Sequence, residues 1–264
     1  MDKKILKIGG SVFTQKNGLA QLDTSMVQTA AMEIARWLRE DQQRRLIFTT
    51  GGGSFGHPIA IKYNLNATEV EKSDEGFLLT NMAMRDLADQ VTVIFQTNGV
   101  PLYPITTSNI FITNRGRIQS ASLETLTLSL KRGLVPFLCG DVTHDTDHTY
   151  RILSADQINS YLYKHLDLDV MLFGSNVDGI FSDDPSINPG AVWIPIINPE
   201  NYGHIHEILS SSPHKDATRA MLGKLEEIYE VKKRPVNALI YNATLPGNTY
   251  RALSGELFGT QLIF

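Results

Sequence analysis

A three-layer α/β/α sandwich on a mostly parallel central sheet is the fold that three features of the 264-residue chain predict. Apolar, strand-like runs at 5–8, 46–49, 135–139, 170–173 and 238–241 alternate with helical patterns, and such alternation builds parallel sheets covered on both faces. Two of the runs end in glycine-rich turns, at residues 9–11 and 51–56, where open α/β sheets commonly bind ligands. The length suits one large domain or two lobes that share a sheet. We place a soft boundary between an N-terminal lobe, 1–166, and a C-terminal lobe, 167–264.

In chain order, Asp23 or Thr24 is placed to cap a helix reaching Glu40. Met26, Ala30, Ile34, Trp37 and Leu38 recur on one side of it at helical spacing, so that side faces the core. A helix is expected after the glycines of LIFTTGGGSFGHPIAIKY at 46–63, and others over 76–97, 122–132, 155–165 and 218–233. ITNRGRI at 112–118 and THDTDHTYRI at 143–152 gather Asn, Asp and Gly between β-favouring residues. They read as turns of antiparallel hairpins projecting from the main sheet.

Composition excludes several classes of function. Apolar content of 42% and charged content of 20% are ordinary for a soluble globular chain, and a formal charge of −4 speaks against a nucleic-acid partner. Cys139 is the only cysteine, so no intramolecular disulfide and no thiolate metal cluster can form, which fits a reducing cytoplasm. The N-terminus lacks a secretory h-region, and no run of about 18 apolar residues appears, so no membrane association is expected.

The chemistry concentrates at the strand ends. In KIGGSVFTQK, residues 7–16, Gly9, Gly10 and Ser11 allow close approach to an anion, with Lys7 and Lys16 as point charges on either side. In the second loop, Gly52, Gly53, Ser54 and Gly56 offer backbone N–H groups, and His57 adjoins them with a ring N–H suited to a phosphate oxygen. Gly51, Gly53 and Gly56 also satisfy the dinucleotide pattern G-x-G-x-x-G. That reading requires an acidic residue about 20 positions on at the end of a second strand, and Glu69, Glu71 and Asp74 fall in a polar stretch with little strand character. There is no G-x-x-x-x-G-K-[ST] loop and no H-R-D with D-F-G pair. Phosphate chemistry without either standard ATP motif is the better reading.

Downstream, Gly140 follows a strand, and Ser154 and Asp156 open a helix. Asp156 either caps that helix or sits among the lysines and orients them. His144, Asp145, Asp147 and His148 have metal-ligand chemistry, but their spacing fits an exposed turn and no matching ligand is evident, so no metal site is assigned. Asp178-Gly179 and the Asp183 to Pro185 stretch read as connections. Lys215, Asp216 and Thr218 lie at a helix start, with Gly223 and Lys224 within its first turns, an arrangement open to polyphosphate or to plain solvent exposure.

Taken together and in order, KIGGS, GGGSFGHP, GFLLT, GRI, VPFLCGDV, SADQIN, SNVDGIF and DATRAMLGK resemble the amino acid kinase superfamily over nearly the whole chain. The histidine-bearing loop is similar to its isopentenyl phosphate kinase branch and to the related fosfomycin resistance kinases. The resemblance implies an amino acid kinase-like fold and ATP-dependent phosphorylation of isopentenyl phosphate, with Mg2+ on the nucleotide. A fosfomycin or other phosphonate kinase, or a non-catalytic nucleotide sensor, are the alternatives it leaves. It implies that Lys7 and Lys224 bridge the transferring group, Lys16 assists and Asp156 orients the lysines. His57 and the amides of Gly52, Gly53 and Ser54, with Gly56, Gly140 and Ser154 nearby, hold the acceptor. Phe77 and Met82, with Leu78 and Met84, line its apolar tail. Gly9, Gly10 and Ser11 face the donor phosphates, and Asp178, Gly179, Asp183, Pro185 and Gly223 lie toward the nucleotide. The resemblance further implies a homodimer. One departure stands out: Arg219-Ala220 replaces the family's Gly-Gly in D-x-T-G-G-M-x-x-K.

Overall fold

The computed structural model describes residues 2–15, 20–65, 73–212, 215–231 and 235–264. Its middle layer is an eight-stranded sheet. From edge to edge run β12 (Ile196–Ile197), β14 (Thr260–Ile263), β13 (Asn237–Asn242), β9 (Val170–Ser175), β1 (Lys3–Ile8), β2 (Arg45–Thr50), β6 (Val135–Cys139) and β3 (Leu102–Pro104). Every neighbouring pair is parallel except β13 and β14. Central strands of such a sheet are apolar on both faces, and β1 and β2 are buried over all but their first residue.

Two cores flank the sheet, as the alternating pattern predicts. On one face lie α1 (Gly10–Phe13), α2 (Thr24–Glu40), α3 (Gly53–Lys62), α4 (Ser73–Thr97) and α9 (Asn248–Leu253). Phe48 anchors this core, its ring 4.9 Å from Phe95 and 5.2 Å from Phe137, and each such pair adds about 0.5–1.5 kcal/mol beyond area burial. On the other face lie α5 (Glu124–Lys131), α6 (Ala155–His165), α7 (Tyr202–Ser211) and α8 (Lys215–Tyr229). Asp23 caps α2 by accepting from the Met26 N–H at 3.1 Å. The buried stripe of α2 is Val27, Ala30, Ala31, Ile34, Ala35 and Trp37, with Met26 and Leu38 only partly covered at its flanks.

The hairpins join into one small sheet, ordered β5 (Arg117–Ala121), β4 (Phe111–Asn114), β7 (Asp141–Asp145) and β8 (Thr149–Leu153). Asp145 is its hub. Its carboxylate accepts from the N–H groups of Arg115 (3.1 Å), Gly116 (2.8 Å), Asp147 (3.0 Å) and His148 (3.0 Å), tying the two turns together. This answers the metal-ligand reading of the cluster, since the Asp145 oxygens are already occupied by backbone donors. A further pair, β10 (Ile180–Phe181) and β11 (Trp193–Ile194), forms a separate ribbon.

Burial by itself would raise the Asp145 carboxyl, but the donors of Gly116, Asp147, Thr113 and His148 outweigh it and hold the group down at about 2. A depressed carboxyl stabilises above its ordinary value and loses that contribution as pH falls toward the folded-state value. Asp145→Asn is therefore expected to destabilise the fold by about 1–2 kcal/mol at neutral pH, a discount for solvent access included. Thermal melts should show the gap to wild type closing between about pH 4 and pH 2. A gap that does not change with pH would refute the assignment.

Candidate active site

The two glycine-rich strand ends meet. Strands β1 and β2 are adjacent and in register from Lys3 with Arg45 to Ile8 with Thr50, so the turns that leave them emerge side by side. A Cβ on Gly10 would lie 2.5 Å from the Gly53 nitrogen and 2.8 Å from the Gly51 carbonyl oxygen. Only glycine permits that approach. Thr14 locks it: its hydroxyl donates to the Gly10 carbonyl at 2.8 Å and accepts from the Ser54 N–H at 3.0 Å. The Ser54 amide is thus spent inside the protein, and the expectation that it faces an acceptor phosphate does not match its geometry here.

Beside this junction three charged side chains converge. Lys7, on β1, places its Nζ 2.5 Å from Asp156 Oδ2, and Lys224, on α8, places its Nζ 2.7 Å from Asp156 Oδ1. Both lysines are more than nine-tenths buried. Asp156 is free for this because Ser154, not Asp156, caps α6, its Oγ accepting from the Gln157 N–H at 3.1 Å. Gly140 lets the end of β6 come close to the same helix start, where a Cβ would lie 3.1 Å from the Ala155 nitrogen.

The electrostatics follow from burial and these contacts. Desolvation lowers the Lys7 ammonium to about 8, with Lys224 adding to the fall and Asp156 opposing it. Burial would push the Asp156 carboxyl up, but Lys224 and Lys7 outweigh burial and hold it well below the usual carboxylate range. His57, on α3, has its imidazole lowered from the ordinary value by desolvation and then by the Lys7 charge. The residue is exposed, yet it lies within electrostatic reach of Lys7, and both effects favour the neutral ring.

On the other side of the glycine loop runs α4. Met84 packs over it, its Sδ 3.1 Å from where a Gly52 Cβ would stand and 2.8 Å from that of Gly56. Phe77 stacks on Tyr150 at 4.4 Å and lies 4.9 Å from His144. Met82 is 59% exposed on the opposite side of the helix with Leu78, because residues two apart on a helix point about 200° apart. Of the apolar residues on α4, Met84 is the one that packs over the glycine loop, and Phe77 packs against the hairpin.

The remaining predicted positions are dispersed around this centre. Gly9 leaves β1 with its N–H on the Gly174 carbonyl at 2.9 Å, and Ser11 is exposed. Asp178 accepts from Asn242 Nδ2 at 3.0 Å beside Gly179. Asp183 accepts from Ser212 Oγ at 2.7 Å and from Asn188 Nδ2 at 3.0 Å, so it shapes its loop, while Pro185 is exposed on the same loop. Gly223 faces open space one residue before Lys224. Lys16 lies outside the described residues, as do the side chains of Lys215, Asp216, Thr218 and Arg219.

Two groups had no sequence signal. Thr14 is one. The other is the buried cluster in which Asp141 accepts from Asn81 Nδ2 at 3.1 Å, with Asn81 also donating to Ser108 Oγ at 2.7 Å. Burial pushes the Asp141 carboxyl up to about 7 against the donors of Val142, Asn81 and Ser108. The cluster pins α4 to β7, and only tertiary structure reveals it.

Among the described residues this buried centre has two ammonium groups and one carboxylate, an excess of positive charge that an anion would neutralise. Polyphosphate suits it. Among the described residues there is no group of three or more His, Cys, Asp or Glu able to hold a metal, and no helix is long and apolar enough to cross a membrane.

A family model described as Amino acid kinase family matches residues 2–242. The isopentenyl phosphate kinase of Methanocaldococcus jannaschii is 32% identical, over 98% of this chain and 98% of its own length. That of Methanothermobacter thermautotrophicus is 30% identical, over 96% of this chain and 95% of its own. A solved structure of isopentenyl phosphate kinase superposes with a TM-score of 0.85 at 29% identity, covering 98% of this chain and 99% of that one.

Proposed function

The chain belongs to the amino acid kinase family, and we propose that it transfers the terminal phosphoryl group of ATP to the phosphate of isopentenyl phosphate, giving the diphosphate. The observation that carries this reading is the buried pair Lys7 and Lys224 sharing the single carboxylate of Asp156. The site needs positioning and charge neutralisation more than a covalent nucleophile, which is what phosphoryl transfer requires. The acceptor phosphate oxygen is already ionised, so no general base is needed.

In this mechanism the acceptor phosphate lies at the turn of Gly52 and Gly53 with His57 donating to it, and its apolar tail lies along Phe77 and Met84. The donor phosphates lie at Gly9, Gly10 and Ser11, and the nucleoside lies toward Asp178, Gly179 and the Asp183 to Pro185 loop. Lys7 and Lys224 meet the transferring group from two sides, and Asp156 sets their spacing. Asp156 is engaged by both lysines, so any Mg2+ would be held by the nucleotide phosphates and would supply neutralisation of the developing charge. The lobe division at 166/167, a homodimer and a cytosolic location belong to the same reading.

An ADP-release assay with ATP and Mg2+ over isopentenyl phosphate and fosfomycin tests it. Turnover with the first and weak competition by the second is the expected result; turnover with neither sinks the assignment. His57→Ala is expected to lower kcat/KM for the acceptor roughly 10- to 100-fold, the loss of one charge-assisted hydrogen bond to a dianion. His57→Gln, which keeps a donor, should retain part of it.

A further inference from the structure

Lys224 meets Asp156 only if α8 is held at the right distance from α6, and the β4–β5 hairpin touches both helices. Its tip reaches α6 through Gln157, the residue after Asp156. Gln157 Oε1 accepts from the Ile118 N–H at 2.9 Å, and its Nε2 donates to the Gly116 carbonyl at 3.0 Å. The same strand reaches α8 through Arg117, whose guanidinium grips Glu227 with both Nη atoms, Nη2 to Oε2 at 2.9 Å and Nη1 to Oε1. Glu227 lies one helical turn beyond Lys224. Arg117 and Glu227 also line open crevices of about 430 and 370 Å³, so this ion pair spans a gap between hairpin and α8. Asp145 stiffens the hairpin from behind through the Arg115 and Gly116 amides.

We propose that Arg117, Glu227 and Gln157 are positioning residues: the hairpin braces α8 against α6 and so fixes Lys224 at Asp156. The inference rests on the kinase reading of that site. A planar fork on a carboxylate fixes direction as well as distance, which a lysine in place of Arg117 would not do. Hydrogen bonds to Glu227 outweigh desolvation and raise the Arg117 guanidinium, with Glu230 adding a weaker attraction. The acceptor turn at Gly52, Gly53 and His57 lies on β2 and α3, which the brace does not touch.

The test is a charge-reversal cycle in the full-length enzyme: Arg117→Glu, Glu227→Arg and the double variant, with Arg117→Lys as the conservative change. Each single reversal is expected to lower kcat roughly three- to tenfold, while KM for isopentenyl phosphate stays within about twofold. The double variant should recover to within about twofold of wild type, and Arg117→Lys should fall between. Melting temperatures report whether each variant folds, and calorimetric Kd values for ATP give a readout that needs no turnover. Single reversals with wild-type kcat and ATP affinity would overturn the brace, as would a double variant that fails to recover. An inactive wild type would instead overturn the kinase reading, and the ATP affinities of the same variants would still decide the brace.

Discussion

Asp156→Asn is expected to reduce turnover roughly 100- to 1000-fold and to lower stability by about 3 kcal/mol. The substitution is nearly isosteric and leaves the Ser154 cap of α6 in place, so the loss is one of charge. In the wild type the carboxylate faces two ammonium groups at 2.5 and 2.7 Å. Without it, two buried cations face each other, and an amide offers a single oxygen to both. Breaking a buried ion pair from one side is far more costly than removing both partners, because the remaining charge stays desolvated. The phosphates of ATP can take over part of the missing counter-charge. Thermal melts should therefore show a deficit in Asp156→Asn that shrinks as ATP is added, while ADP release stays low. A near-normal rate, or a deficit that ATP leaves untouched, would remove Asp156 from its central role.

How far this centre could be read in advance depends on where its information lies. The strand at 135–139 and the helix at 155–165 follow directly from apolar runs and spacing, and the structure reproduces both bounds. The glycine turns were legible because few other residues leave a strand that way, and their meeting followed from placing both at the same end of a parallel sheet. Asp156 was legible only as two alternatives, since a carboxylate at a helix start caps or does something else. The structure decides it through Ser154. The convergence of Lys7 and Lys224 on Asp156 joins positions 149 and 68 residues apart, and no local pattern records such a distance. Helix α7 and the short strands β3, β12 and β14 escaped for a simpler reason. Each buries only one or two side chains, too few for periodicity to register. The apolar residues of α4 lie on two sides, with Leu78 and Met82 exposed, and only packing shows that Met84 faces the loop.

Lys7→Met is expected to produce the other large loss, a fall in kcat of roughly 1000-fold, with stability unchanged or raised. The two effects separate because the ammonium serves the reaction and burdens the fold. Burial lowers its pKa from 10.5 to about 8, so between those values the folded protein binds fewer protons than the unfolded chain, and stability rises with pH across that window. The desolvation penalty is fully present below about pH 8 and fades toward pH 10.5. Methionine fills a similar volume without the charge, and Asp156 keeps Lys224 as its partner. The same titration gives the wild type a basic limb: kcat/KM should decline as pH rises through about 8, approaching tenfold per unit, as Lys7 loses its proton. Bound ATP surrounds Lys7 with negative charge and raises its pKa, so the limb of kcat should sit at higher pH than that of kcat/KM. Lys7→Met should abolish the limb along with most of the rate. If the limb persists unchanged in that variant, another group titrates there, and the ammonium of Lys7 is not the one that meets the transferring phosphoryl group.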